Sequence, residues 1–225
     1  MRFLAVLSVI IPALNEERGV GEAVRSVRGE AEVIVVDGGS HDATADAARR
    51  AGARVVASPR GRGIQLDRGA REATGDWLVF LHADTRLEHG WPQALFSLPP
   101  EVVGGAFRFA IDSPRRAYRV IEKGVALRCR LFRLPFGDQA IFVRRPVYGI
   151  VGGFPPFPLM EDLAFSQRLA RAGPMAFPAV RAFTSARRWE EGGVMATTAR
   201  NLGLQALYAV GFPPERLARL YGYHA

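Results

Sequence analysis

At 225 residues, 48% hydrophobic and 23% charged, the chain has an ordinary globular composition and enough length for one sizeable core, or for two lobes sharing a cleft. The net charge of +8 is almost all arginine, Lys123 being the only lysine, which favours phosphorylated ligands or anionic surfaces as partners. The single cysteine, Cys129, excludes an intrachain disulfide framework, and the four histidines lack metal-ligand spacing. Both facts suit a cytoplasmic setting.

The stretch 3–11 is apolar but too short to span a bilayer, and no small-residue cleavage site follows it, so residues 4–11 read as a first buried strand. Pro12 to Glu17 leads into a helix near 18–27. Residues 33–36 form a second β-branched strand ending at Asp37. A helix follows from about Asp42, with Ser40 or Asp42 as cap and Gly52 as stop. Next come a strand over 54–57, a helix within 63–73 and a strand over 77–81 that runs to Asp84. Continuous apolar strands alternating with helices predict an α/β fold with a mostly parallel sheet flanked by helices.

The second half breaks this rhythm. Residues 104–111 alternate weakly, as an antiparallel strand would, and 115–133 reads as a helix with a basic face. A short strand over 139–143, an irregular Gly/Pro/Phe loop over 152–158 and a helix over 163–171 follow. Two helices, 201–210 and 214–221, close the chain. With no repeat or linker, residues 1–225 are expected to form one domain, with a Rossmann-like half to about residue 100 and a mixed half from about 101.

Phosphate-loop chemistry is excluded, because the only lysine sits in Glu122-Lys123-Gly124. A dinucleotide fingerprint is absent after the first strand, where Pro12-Ala13-Leu14-Asn15-Glu16 stands instead. The ordered set SVIIPALNEE, VIVVDGGSHDAT, GDWLVFLHADT and GGF…MEDLAFSQRL resembles the family 2 glycosyltransferases of the GT-A fold over roughly 8–189. That resemblance implies a non-processive, inverting enzyme. It would move a sugar from a nucleoside-diphosphate donor to an acceptor hydroxyl, aided by a divalent cation, Mg²⁺ or Mn²⁺.

The resemblance also assigns roles. Asp37 matches the acid that reads the base or ribose, a role its hydrogen-bond acceptors suit, with a partner for the helix after it as the lesser alternative. Gly38 stands where the family often has a second aspartate. Pro12, Leu14, Asn15 and Glu16 match the loop that walls the nucleotide pocket. Asp84 matches the last acid of an Asp-x-Asp metal motif, with His82 in place of the first acid and Ala83 between them; a hard cation then takes its other oxygens from diphosphate and water. Arg62, in the glycine-rich stretch, is the candidate for the diphosphate. Asp162 matches the base that deprotonates the acceptor, and Glu161 would position it or the acceptor. Asp138, Arg188 and Trp189 are acceptor or diphosphate candidates; Trp189 is equally suited to stacking on a sugar or to the core.

Basic and apolar residues mixed over 115–133 and in the closing helices would suit a lipid-linked acceptor and peripheral contact at the inner membrane face. Nucleic acid is not an expected partner. Alternatives left open are a nucleotidyltransferase, a degenerate nucleotide-sugar-binding protein, and a basic polyanion- or membrane-surface-binding protein without turnover.

Overall fold

The structure, a computed structural model, describes residues 6–222; the expected start of the first strand at residues 4 and 5 lies outside that range. The apolar runs become central strands. β1 (Leu7–Ala13), α1 (Val20–Val27), β2 (Glu32–Asp37), α2 (Thr44–Ala51), β3 (Arg54–Ala57), α3 (Arg62–Glu72) and β4 (Trp77–Phe80) follow in the expected order. Then come β5 (Thr85–Leu87), α4 (Trp91–Phe96), β6 (Gly104–Ala106), β7 (Arg108–Asp112) and α5 (Arg116–Phe132). A single 3₁₀ turn, Gly137–Gln139, precedes β8 (Ile141–Arg144), α6 (Arg145–Ile150) and α7 (Glu161–Ala172). β9 (Met175–Ala176), β10 (Arg181–Ser185), α8 (Arg187–Gly192), α9 (Val194–Ala209) and α10 (Pro214–Tyr221) complete the described chain.

Seven strands lie in the order β3-β2-β1-β4-β8-β6-β9, and three more in the order β5-β10-β7. β3, β2, β1 and β4 are mutually parallel, whereas β8 runs antiparallel to both β4 and β6. Successive residues of the buried strands feed opposite faces, which is why these strands read as unbroken apolar runs. Val9, Ile11, Val33 and Val35 join one core layer beneath α1 and α2. Ile10, Ile34 and Val36 join the other, under Leu66 of α3 and Phe165 of α7.

The expected strand over 104–111 divides at the buried Phe107. β6 stays in the large sheet, while β7 pairs in parallel with β10 in the small one, so the stretch is not one antiparallel strand. The N-cap of α2 is Ala43, between the expected Asp42 and the helix; the Asp42 carboxylate still accepts both the N–H and the hydroxyl of Thr44, the first helical residue. Ser40 instead gives its N–H and hydroxyl to Asp37. The last long helix, α9, begins seven residues earlier than expected. Two threonines in its first turns weaken the helical signal, but Thr197 is buried and donates its hydroxyl to the carbonyl of Arg188.

Candidate active site

Strand order reverses between β1 and β4, since β2 and β3 are added on one side of β1 and β4 on the other. The carboxyl ends of two parallel strands diverge at such a point and leave a crevice. A cleft of about 430 Å³ occupies it. Pro12, Leu14 and Glu16 line it from the end of β1, and His82, Ala83 and Asp84 from the loop after β4. Arg60, Arg62 and Gln65 reach it from the start of α3, Asp138 from the 3₁₀ turn, Asp162 from α7 and Arg188 from α8.

Non-glycine residues with left-handed backbone gather here. Asn15 (φ 54°), Ala140 (φ 47°) and Met160 (φ 66°) each lie in or next to a segment that lines the cleft. Each such residue costs about 1–3 kcal/mol, so the fold holds these turns against their preference.

Asp162 is fixed by backbone donors: its Oδ2 accepts the Gly137 N–H at 2.9 Å and its Oδ1 the Leu163 N–H at 2.8 Å. His82 faces the same turn, because a Cβ added at residue 137 would lie 2.5 Å from His82 Nε2 and 3.3 Å from Asp162 Oδ2. Only glycine allows this approach. Burial, assisted by Arg62 and Arg188, pulls the imidazole pKa down to about 4 against the opposing pull of Asp84 and Asp162. His82 is therefore neutral at pH 7. Burial also raises the Asp138 carboxyl to about 6, with Asp162 and Asp84 adding to the rise and Arg128 and Arg188 opposing it. Its Oδ1 is buried without a hydrogen-bond partner among the described residues.

Glu16 pairs with Arg187 at 3.1 Å, tying the first loop to α8. Burial raises its pKa, Asp84 adds to that, and Arg187 opposes it. Gln65 Nε2 donates to the carbonyls of Ala13 and Val36, both at 2.8 Å, closing the floor between β1 and β2.

Four expected site residues stand outside the lining. Asn15 is exposed; its Oδ1 accepts the His41 N–H at 2.9 Å, so it braces the first loop on the second instead of walling the pocket. Asp37 is half-buried at the end of β2, paired in register with Ala13, which does line the cleft. Glu161 is fully buried, and one of its oxygens bonds Arg62 Nε, so it meets the cleft through that guanidinium. Trp189 is 9% exposed and packs on Phe109 and Tyr118; a ring so enclosed cannot stack on a sugar.

Sequence reasoning missed a wall. Phe136, Leu159, Met160, Asn201, Gln205 and Tyr221 also line the cleft. Asn201 and Gln205 stand four residues apart on a helix whose only charge is Arg200, a spacing that puts both on one face and was the available signal.

The donor set can take a divalent ion only in part. No group of three or more His, Cys, Asp or Glu among the described residues could hold a metal by itself. Asp84 offers a carboxylate in the cleft, and the unpartnered Asp138 Oδ1 lies in the same cleft. Such a site fits a hard cation that completes its sphere with ligand phosphates and water.

A cleft at the switch point of a largely parallel sheet, walled by acids and arginines together, belongs to a protein that handles a phosphorylated ligand. The chain belongs to Glycosyl transferase family 2, whose sequence model matches residues 8–155. Curated relatives include a PGL/p-HBAD biosynthesis glycosyltransferase of Mycobacterium bovis and its Mycobacterium tuberculosis counterpart. Each is 30% identical over 167 residues, covering 66% of this chain and 63% of the relative. The chain thus spans less than two thirds of those relatives' length. An uncharacterized glycosyltransferase of M. tuberculosis is 34% identical over 85 residues, 37% of this chain and 39% of its own.

Among solved structures, glucosyl-3-phosphoglycerate synthase from M. tuberculosis is similar in fold. Its complex with Mn²⁺, UDP and glucosyl-3-phosphoglycerate matches with a TM-score of 0.62 at 23% identity, covering 93% of this chain and 81% of that one. The GT-A fold expected from the motifs is the fold found.

Proposed function

We propose that this protein transfers a sugar from a nucleoside-diphosphate donor to an acceptor hydroxyl, with inversion at the anomeric carbon. The observation that carries the reading is the convergence of Asp84, from the end of β4, and Asp162, from the start of α7, on one cleft at the switch point. The diphosphate lies among Arg60, Arg62 and Arg188, and the nucleoside extends along the ends of β1 and β2 toward Asp37. Asp162, oriented by its two backbone donors, takes the proton of the acceptor hydroxyl. The acceptor oxygen forms its bond to the anomeric carbon as the bond to the diphosphate oxygen breaks and the electron pair leaves with the phosphate. A single displacement of this kind inverts configuration. Asp84 would hold a divalent cation together with the diphosphate, supplying positive charge for the leaving group. Glu161 holds Arg62 in place, and neutral His82 packs against the turn that orients Asp162.

The solved relative was crystallised with Mn²⁺ and UDP, which makes UDP-sugars the first donors to try. The test is a thermal-shift panel of UDP-, GDP- and dTDP-sugars with Mn²⁺, with Mg²⁺ and with chelator. One nucleotide class should raise the melting temperature, and the rise should vanish with chelator and in Asp84→Ala. Asp162→Asn should keep the shift and lose turnover. A folded protein that no donor stabilises, or a shift that survives Asp84→Ala and chelator alike, overturns the reading.

A further inference from the structure

Two helices beside the cleft show water the wrong face. α5 carries one acid, Glu122, and that side chain turns inward, accepting the Ile111 N–H at 2.7 Å and pairing with Arg119 at 3.1 Å. The outward stripe of α5 then holds the exposed Arg116, Lys123 and Arg130 beside Val120 (71% exposed), Leu127 (56%) and Leu131 (62%), with no negative charge among them. α9 is stranger. Its sixteen residues include a single charge, Arg200, which stacks over Tyr221 at 4.6 Å. With Asn201, Leu204 and Gln205 turned to the cleft, its opposite side presents Met195 (82% exposed), Ala199, Leu202 (59%) and Ala206 to solvent, with Val210 just past its end.

The two helices meet through two small cores. At one end Ile121 and Val125 of α5 and Val194 of α9 pack on the same small core. At the other, Leu134 and Phe136, just past α5, join Leu204 and Leu207 of α9. So many large apolar side chains left in water on two helices that share cores, with cations beside those of α5, mark an interaction face.

We propose that α5 and α9 form a docking face for an anionic phospholipid bilayer. Charge complementarity selects this occupant. The face joins leucine, valine and methionine, which enter the acyl boundary, to arginine and lysine, which meet lipid phosphates. A second copy would bring the same cations against these, and at a net charge of +8 the two would repel. No helix among the described residues is long and apolar enough to cross a membrane, so the contact is peripheral. If the transfer reading above holds, docking sets the α9 wall of the cleft against the lipid and fits an acceptor carried by a lipid.

The test is sedimentation with vesicles of phosphatidylcholine alone and of phosphatidylcholine mixed with phosphatidylglycerol, across a salt series. Binding should appear on the anionic vesicles and weaken with salt. Each neutralised cation should cost about fivefold in affinity, so Lys123→Gln with Arg130→Gln should weaken binding roughly 25-fold. Leu127→Gln with Leu131→Gln should weaken it too, while melting temperatures stay unchanged because these side chains are exposed. No sedimentation, equal binding to neutral vesicles, or a concentration-dependent dimer abolished by the leucine variant would each overturn the proposal. Donor binding is read separately by thermal shift, so failure of docking and failure of the transfer reading are distinguishable.

Discussion

Removing the arginine that faces Glu161 should destabilise the protein in a pH-dependent way. The Glu161 side chain is fully buried, one oxygen bonds Arg62 and the other has no partner among the described residues. Burial raises its pKa above 4.5, and Arg62 is the main force opposing that rise. In Arg62→Ala the carboxylate keeps its desolvation cost and loses its compensating charge. Leaving a buried ion unpaired costs about 3–5 kcal/mol, but the group can escape by taking up a proton. At pH 7 that escape costs at most about 3.4 kcal/mol, from the distance between pH 7 and the ordinary glutamate value. At pH 5 the same escape costs only about 0.7 kcal/mol.

A carboxyl whose folded pKa lies above its unfolded one supports the fold at low pH and loses that support as pH rises through the folded value. The variant should therefore be up to about 3 kcal/mol less stable than wild type at pH 7 and nearly equal to it at pH 5. Urea denaturation at the two pH values measures this, and a loss of that size is a large part of the usual 5–15 kcal/mol. Arg62→Lys, which keeps the charge but not the planar fork, should fall between. An Arg62→Ala variant with the same deficit at both pH values would show that Glu161 is hydrated, and would refute the reasoning.

Other expectations follow from the same cleft. Asp138, raised to about 6, stabilises the fold below about pH 4 relative to an ordinary aspartate and loses that contribution as pH passes 6. Asp138→Asn should thus gain about 1–2 kcal/mol over wild type at pH 8, allowing for partial exposure, and nothing at pH 4; denaturation curves that coincide at pH 8 would count against the burial. His82, lowered to about 4, contributes stability above pH 6.5 that is lost as pH falls through 4. Its imidazole NMR signals should stay flat from pH 5.5 to 8, and a midpoint near 6.5 would place it in water. Gly137→Ala puts a methyl 2.5 Å from His82 Nε2 and should cost about 1–3 kcal/mol along with turnover; wild-type stability and rate together would mean the turn has room to shift.

The sequence by itself determined the parallel part of the sheet and the end of it that faces a ligand; the strand order came from the structure. Strands buried on both faces must be apolar throughout, so residues 33–36 and 77–80 announce themselves, and the polar clusters that stop them mark where the ligand side begins. The resemblance of the ordered motifs brought Asp84, Asp162, His82 and Arg62 into one list, and they line one cleft. Other roles needed tertiary structure, because a side chain's partner is a matter of space. Glu161 and Asp162 are neighbours in the chain, yet the helical turn sends one into the core against Arg62 and the other to Gly137. Trp189 follows directly on Arg188, but one is core and the other lines the cleft. Two further features were decided only when the chain closed on itself. Asn201 and Gln205 reached the cleft across long sequence separations, and Glu122 turned inward, leaving α5 with an outer face of cations and leucines. Local pattern fixes which residues are buried together in an element; which distant element they meet is fixed by packing alone.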